Sequence, residues 1–318
     1  MVNHFLSGVL SQGRINVLAA LSAFVLTYLM IELFRGKLPQ DQGRQFAVNG
    51  ALSKGKARGA GLVFVACMVV CALAFAPITL ELVIYLLLVL ASMLSGYLDD
   101  AADKPWNEYK KGLIDFVIAI VAGTTYLHYN GTTVHFMQWS FELPYLVYLI
   151  LAIILIWTAI NVVNCTDGVD GLCGILSIVT MGSFLLAFPQ ELGGFGTVVL
   201  IVMASVGAYL WRNASPSSVL MGDAGSRALG FFIALLSMKS GHPFAFILAA
   251  LVFILDGSLG ILKISLKRFL HIWILKNVRT PLHDHARKNK GWSDAQVVVR
   301  FALLQMLATA VLLLLVGC

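Results

Sequence analysis

Long apolar runs separated by short polar segments organise this chain. The runs lie near residues 15–34, 57–76, 78–98, 113–130, 143–160, 171–188, 194–211, 224–240, 243–264 and 297–317. Each approaches the roughly 20 residues needed to cross the hydrocarbon core of a bilayer as a helix. They are continuous rather than alternating, which predicts helices and not barrel strands. The eighth is the weakest, because Arg227 and Gly230 fall in it. The pattern predicts an all-α integral membrane protein of about ten transmembrane helices, forming one polytopic domain over residues 1–318. No internal repeat, low-complexity tract or separate soluble domain is visible. No small-residue cleavage site follows a short apolar core near the start, so the first run is expected to be a retained span.

Composition agrees. The chain is 59% hydrophobic and 12% charged, with a mean hydropathy of +0.87, where soluble domains carry about 25% charged residues. The five cysteines sit mostly inside apolar runs and form no CxxC pair, which suggests buried apolar side chains, not a disulfide framework or a zinc site. An even helix count puts both termini on one side. All of the 22 basic residues except Arg14 and Lys239 then fall with one set of loops. That asymmetry places those loops in the cytoplasm and both termini outside. Topology therefore accounts for the net charge of +6, and no nucleic-acid partner is expected.

The acidic residues change the picture further. Eight of the 16 cluster at cytoplasmic loops or helix ends: Asp99, Asp100 and Asp103 in "DDAAD", Asp167 and Asp170 in "NVVNCTDGVDGL", Asp223 in "MGDAGS", and Asp284 and Asp294 in "PLHDHARKNKGWSD". Adjacent carboxylates repel, and a cation relieves the cost. Magnesium takes a few carboxylate oxygens together with water and substrate phosphates. Glycines at a helix start let backbone amides approach a phosphate. Any single Asp of this kind also reads as a helix cap, but four clusters on one face point to a magnesium–diphosphate site. Asn161 and Asn164 suit either capping or contact with a base or sugar. Asp115 and Asp256, near span ends, are either functional or paired with a nearby Lys or Arg. His283 and His285 are two residues apart, which does not put two metal ligands on one helix face. His128 and His135 lie in an external loop.

These four motifs, in this order, resemble the polyprenyl-phosphate N-acetylhexosamine-1-phosphate transferase superfamily from about residue 35 to the end. "PLHDHARKNKGW" followed by "VVVRF" is most similar to its phospho-N-acetylmuramoyl-pentapeptide transferase branch. The resemblance implies ten helices, a cytoplasmic-face site, magnesium (Mg2+), and frequent homodimers in the bacterial inner membrane. It implies that undecaprenyl phosphate attacks UDP-N-acetylmuramoyl-pentapeptide, giving lipid I and UMP for peptidoglycan. Asp99 and Asp100 match the family's paired aspartates, and Asp223 its magnesium-binding Asp. Asn164, Asp167 and Asp170 match residues lining the nucleotide and catalytic cleft, with Asn213 and Lys111 around it. His283 and His285 match the outer members of a three-histidine motif, the former expected to be catalytic and the latter to bind substrate. Asp284 replaces the middle histidine. The segment "SKGKARGAGL" departs from the family's usual pattern, leaving open which of Lys54, Lys56 and Arg58 meets substrate. The competing readings are an N-acetylglucosamine-1-phosphate transferase and, in another class, a secondary transporter. A transporter is expected to carry its acidic groups near the bilayer midplane.

Overall fold

The computed structural model describes residues 5–6, 8–41, 43, 53–102, 104, 106–137 and 139–317; Arg44, Asp103 and Cys318 lie outside them. Its helices are α1 (Gln12–Phe34), α2 (Ala60–Phe75), α3 (Leu80–Asp100), α4 (Glu108–Asn130), α5 (Tyr145–Thr166), α6 (Leu172–Ala187), α7 (Phe195–Asn213), α8 (Gly222–Lys239), α9 (Leu259–Leu270), α10 (Leu282–Lys290) and α11 (Asp294–Val316). Two small strand pairs join them. β1 (Ala57–Arg58) runs parallel to β4 (Val219–Leu220), and β2 (Thr133–Phe136) forms an antiparallel hairpin with β3 (Trp139–Glu142).

Helix falls in each of the ten expected runs. Among the described residues, six helices are long and apolar enough to cross a membrane: α1, α3, α4, α5, α7 and α11. A bent pair, Pro243–Ala249 with Leu251–Leu270, makes a seventh. The chain is thus an all-helical membrane protein in class. α2 and α6 have only 16 residues each, roughly 24 Å at 1.5 Å per residue.

α8 explains why its run looked weak. It packs against α2, α3, α5 and α6, and from Gly222 to Met238 every residue except Asp223 is buried. A helix surrounded by protein needs no uniformly apolar surface. Arg227 pairs with Asp115 of α4 at 2.6 Å, both side chains buried, so Asp115 follows the ion-pair alternative. Close backbone approach fixes α8 in place. A Cβ on Gly61 of α2 would stand 2.1 Å from Gly225 N, and one on Gly96 of α3 would stand 2.3 Å from Asp223 O. These contacts hold the Asp223 backbone against the end of α3.

The expected straight span over 243–264 is instead broken, with a bend of 72° between its two parts. Ala250 leaves helical geometry at φ −121° and ψ 24°. Buried Gln305 of α11 meets the polar groups that the break frees: its Oε1 accepts from Val252 N and its Nε2 donates to Leu248 O, both at 2.9 Å. Such repair is what permits a broken helix at membrane depth. A π-helical turn, Ile254–Ser258, then leads into α9. Other boundaries also move. α5 runs on to Thr166, so Asn161 and Asn164 are helical and not in a loop, and α10 forms inside the expected 265–296 loop.

The two ends of the bundle differ. At one end, Lys239 contacts Glu81 at 3.0 Å and donates to Asn130 Oδ1 at 2.7 Å, while His135 N of the hairpin donates to Gly241 O at 2.9 Å. The other end gathers the acidic motifs.

Candidate active site

Asp99 and Asp100 are the last two residues of α3, and Asp223 is in the first turn of α8. Asp100 Oδ1 meets Arg58 at 2.7 Å, and its Oδ2 accepts from Ala224 N at 3.3 Å. Asp99 accepts from Trp106 N at 2.6 Å and pairs closely with Lys111 of α4. Asp223 lies between the two cations, 3.4 Å from Lys111 and 3.8 Å from Arg58. Three carboxylates from two helices therefore share two side-chain cations, which relieves the repulsion expected of them.

The β1–β4 pair brings Arg58 to this cluster. Sequence had left Lys54, Lys56 and Arg58 open, and the structure separates the last two. Arg58 joins Asp100, Asp223 and Asp41, the last at 3.2 Å. Burial works against the Arg58 charge, but Asp100, Asp223, Asp41 and Asp167 outweigh it and hold its guanidinium above the ordinary range. Lys56 turns to the neighbouring wall. It reaches Asp170 Oδ2 at 3.2 Å and Ser217 Oγ at 2.8 Å, while Ser217 N donates to the same Asp170 oxygen at 3.0 Å.

The segment between α5 and α6 forms that wall. Asn164 donates to Ser226 Oγ of α8 at 2.9 Å. Asp167 caps α5 and Asp170 precedes α6. Asn213 is buried with both ends of its amide engaged: it accepts from Gly171 N at 2.8 Å and donates to Val219 O at 2.9 Å. Its placement braces two loops. His285 Nδ1 accepts from Arg279 N at 3.3 Å. His283 is buried and held by Asp256, so Asp256 pairs with a histidine and not with the nearby Lys or Arg that sequence offered as one alternative. Arg287 donates to Gly168 O at 3.2 Å and meets Asp294 at 2.9 Å, which ties α10 and α11 to the same wall.

Sequence reasoning missed Asp41, Trp106, Ser217 and Ser226. A lone Asp41 or Ser217 in a polar loop carries no spacing signal, the Trp106 contribution is a backbone N–H, and Ser226, the last residue of MGDAGS, is buried in α8 where only its contact with Asn164 marks it. Among the described residues, no group of three His, Cys, Asp or Glu side chains closes into a ready metal cage. The donor set is hard oxygen throughout. It fits magnesium shared with substrate phosphates and water, and does not fit zinc, which favours nitrogen and sulfur ligands.

The family described as Glycosyl transferase family 4 matches residues 82–241. The phospho-N-acetylmuramoyl-pentapeptide-transferase of Treponema pallidum is 39% identical over 93% of this chain and 88% of its own length. Enzymes of the same name from Campylobacter jejuni and Helicobacter pylori are 34% and 35% identical, over 42% and 41% of this chain and 40% and 36% of theirs. With one such relative aligned nearly end to end, the chain belongs to glycosyl transferase family 4, on its phospho-N-acetylmuramoyl-pentapeptide-transferase branch.

Proposed function

We propose that this chain transfers phospho-N-acetylmuramoyl-pentapeptide from UDP-N-acetylmuramoyl-pentapeptide to undecaprenyl phosphate, releasing UMP and forming lipid I in peptidoglycan synthesis. The observation that carries the reading is the meeting of Asp99, Asp100 and Asp223 around Arg58 and Lys111. Beside it stands a second wall holding Asp167 and Asp170. The long alignment with the Treponema pallidum enzyme supports the choice of sugar.

In this reading an oxygen of the acceptor phosphate attacks the sugar-linked phosphorus, and the bond to the UMP oxygen breaks. Several negative charges meet, so positioning and neutralisation supply much of the rate. Arg58 and Lys111 hold phosphate oxygens in place. Asp99, next to Lys111, helps to activate the acceptor. Asp223 is the metal ligand, supported by Asp100. Bound magnesium would neutralise phosphate charge. Asn164, Asp167 and Asp170 face the nucleotide-sugar, with Lys56 fixing Asp170. Asn213 and His285 shape the loops at its edge, and His283 stands behind the Asp167–Gly168 turn.

The bilayer supplies the lipid acceptor, and the cytoplasm supplies the nucleotide. We place the ten expected spans across the bacterial inner membrane as one domain, both termini outside, and expect a homodimer. The acidic cluster gathers at one end of the bundle, where water and lipid meet, rather than midway as a transporter requires. UMP release and lipid product are to be measured with magnesium, undecaprenyl phosphate and either UDP-sugar. UMP is expected only with UDP-N-acetylmuramoyl-pentapeptide. UMP only with UDP-N-acetylglucosamine would move the chain to the neighbouring branch, and none with either donor would remove the transferase reading.

The topology has its own check. His135 sits on the hairpin at the far end from the acidic cluster, beside His242 with ring centroids 5.3 Å apart. His135→Ala should leave turnover within about twofold, as surface changes away from a site usually do. A loss of tenfold or more would contradict the assigned orientation.

A further inference from the structure

Asp256 plays no part in the scheme above, yet it is fully buried at 0% exposure. It lies in the π-helical turn Ile254–Ser258, a distortion frequent at functional sites. Its two oxygens grip one residue: Oδ1 accepts from His283 N at 2.8 Å, and Oδ2 meets His283 Nδ1 at 2.7 Å. The opposite edge of the same ring faces the nucleotide-sugar wall. A Cβ on Gly168 would stand 2.3 Å from His283 Nε2, and Asp284 Oδ1 lies 3.8 Å from that nitrogen. The π turn itself rests on α5, since a Cβ on Gly257 would stand 2.7 Å from both Val162 Cα and Val162 O. A closed circuit thus runs from α5 through the Asp167–Gly168 turn, His283 and Asp256 back to α5.

We infer that Asp256 is a positioning residue for the transfer reaction, acting through His283. Asp256 Oδ2 accepts the hydrogen bond of Nδ1–H, which leaves Nε2 facing the turn. It fixes both the ring's orientation and which nitrogen carries the proton, the role that carboxylates behind histidines play elsewhere. The backbone contact adds a second restraint, because rotation of α10 would break both bonds together. The broken span therefore does more than cross the bilayer: its π turn sets the back wall of the donor site. This inference rests on the proposed transferase reading.

Asp256→Asn tests it in the full-length protein. The amide can still accept from His283 N, but its NH2 then faces Nδ1 and favours the opposite tautomer. We expect kcat for UMP release to fall about 10- to 100-fold, with KM for the nucleotide-sugar changed less than about threefold. The decisive readout is the cycle with His283→Ala. If Asp256 acts through His283, adding Asp256→Asn to His283→Ala costs little more. Losses that multiply would show an independent structural role and overturn the inference, as would a single Asp256→Asn within threefold of wild type. If Asp256→Asn does not accumulate as folded protein, Asp256→Glu keeps the charge and runs the same cycle, with the same non-additivity expected. Wild-type protein in the same assay separates the two ideas: an inactive wild type removes the transferase reading, whereas an active one isolates the role of Asp256.

Discussion

Asp223→Asn should reduce turnover by about 10³-fold or more, roughly 4 kcal/mol of transition-state stabilisation. The side chain is the exception along a buried helix: every other residue from Gly222 to Met238 is enclosed. Its carboxylate stands at 3.4 Å from Lys111 and 3.8 Å from Arg58, farther than Arg58 stands from Asp100 at 2.7 Å. That arrangement suits a ligand that exchanges side-chain cations for a divalent ion when substrate phosphates arrive. Asparagine keeps the shape and one acceptor oxygen but loses the charge, so a magnesium ion bound there would lose an anionic ligand. UMP release under saturating substrates and a range of magnesium concentrations is the measurement. If high magnesium restores the rate, Asp223 contributes affinity for the ion; if the rate stays low throughout, it also contributes to the chemical step. Near-wild-type turnover at ordinary magnesium would remove Asp223 from the site.

Much of this site was legible in the sequence because charge is conspicuous in an apolar chain. Asp99, Asp100, Asp167, Asp170 and Asp223 stood out against long hydrophobic runs, and the structure brings them to one end of the bundle. Asp167 and Asp170 share a wall, while the other three share cations. Resemblance supplied what spacing could not, namely that these separate motifs belong to one cleft. The choice among Lys54, Lys56 and Arg58 was not legible. It depends on a two-residue parallel pairing, Ala57 with Val219 and Arg58 with Leu220, between segments far apart in the chain. The break in the ninth run was hidden for a related reason. Nothing in the pattern of 243–264 marks Ala250 as the break, and the repair comes from Gln305 on another helix. A single polar side chain in an apolar run does not announce its partner. Asp256 was visible as an anomaly near a span end, and its partner was not, because His283 lies 27 residues on and reaches it only through tertiary packing.

Gly222→Ala should lower turnover at least 100-fold while Gly291→Ala leaves it nearly unchanged. Both glycines occupy the left-handed region, at φ +68° and +66°, so both substitutions carry the same conformational penalty of roughly 1–2 kcal/mol. They differ in what a Cβ would meet. At Gly291, which ends α10, nothing lies within 4 Å. At Gly222 the Cβ would stand 2.2 Å from Asp100 Oδ2 and 3.0 Å from Asp100 Cγ. Relief requires either that α8 retreat or that Asp100 swing away. The first is opposed by the close backbone contacts at Gly61 and Gly96. The second breaks the Asp100 bonds to Arg58 and Ala224 N together. Either movement displaces groups that must be placed to within a fraction of an ångström, and a misplacement of about 1 Å can cost 10²-fold in rate. Thermal unfolding in detergent provides the control. Gly222→Ala is expected to destabilise somewhat more than Gly291→Ala, because overpacking adds about 1–3 kcal/mol, and to remain folded. If both variants lost activity equally, backbone strain alone would explain the result and the cradle around Asp100 would not matter. A large loss confined to Gly222→Ala ties turnover to the position of the Asp100 carboxylate.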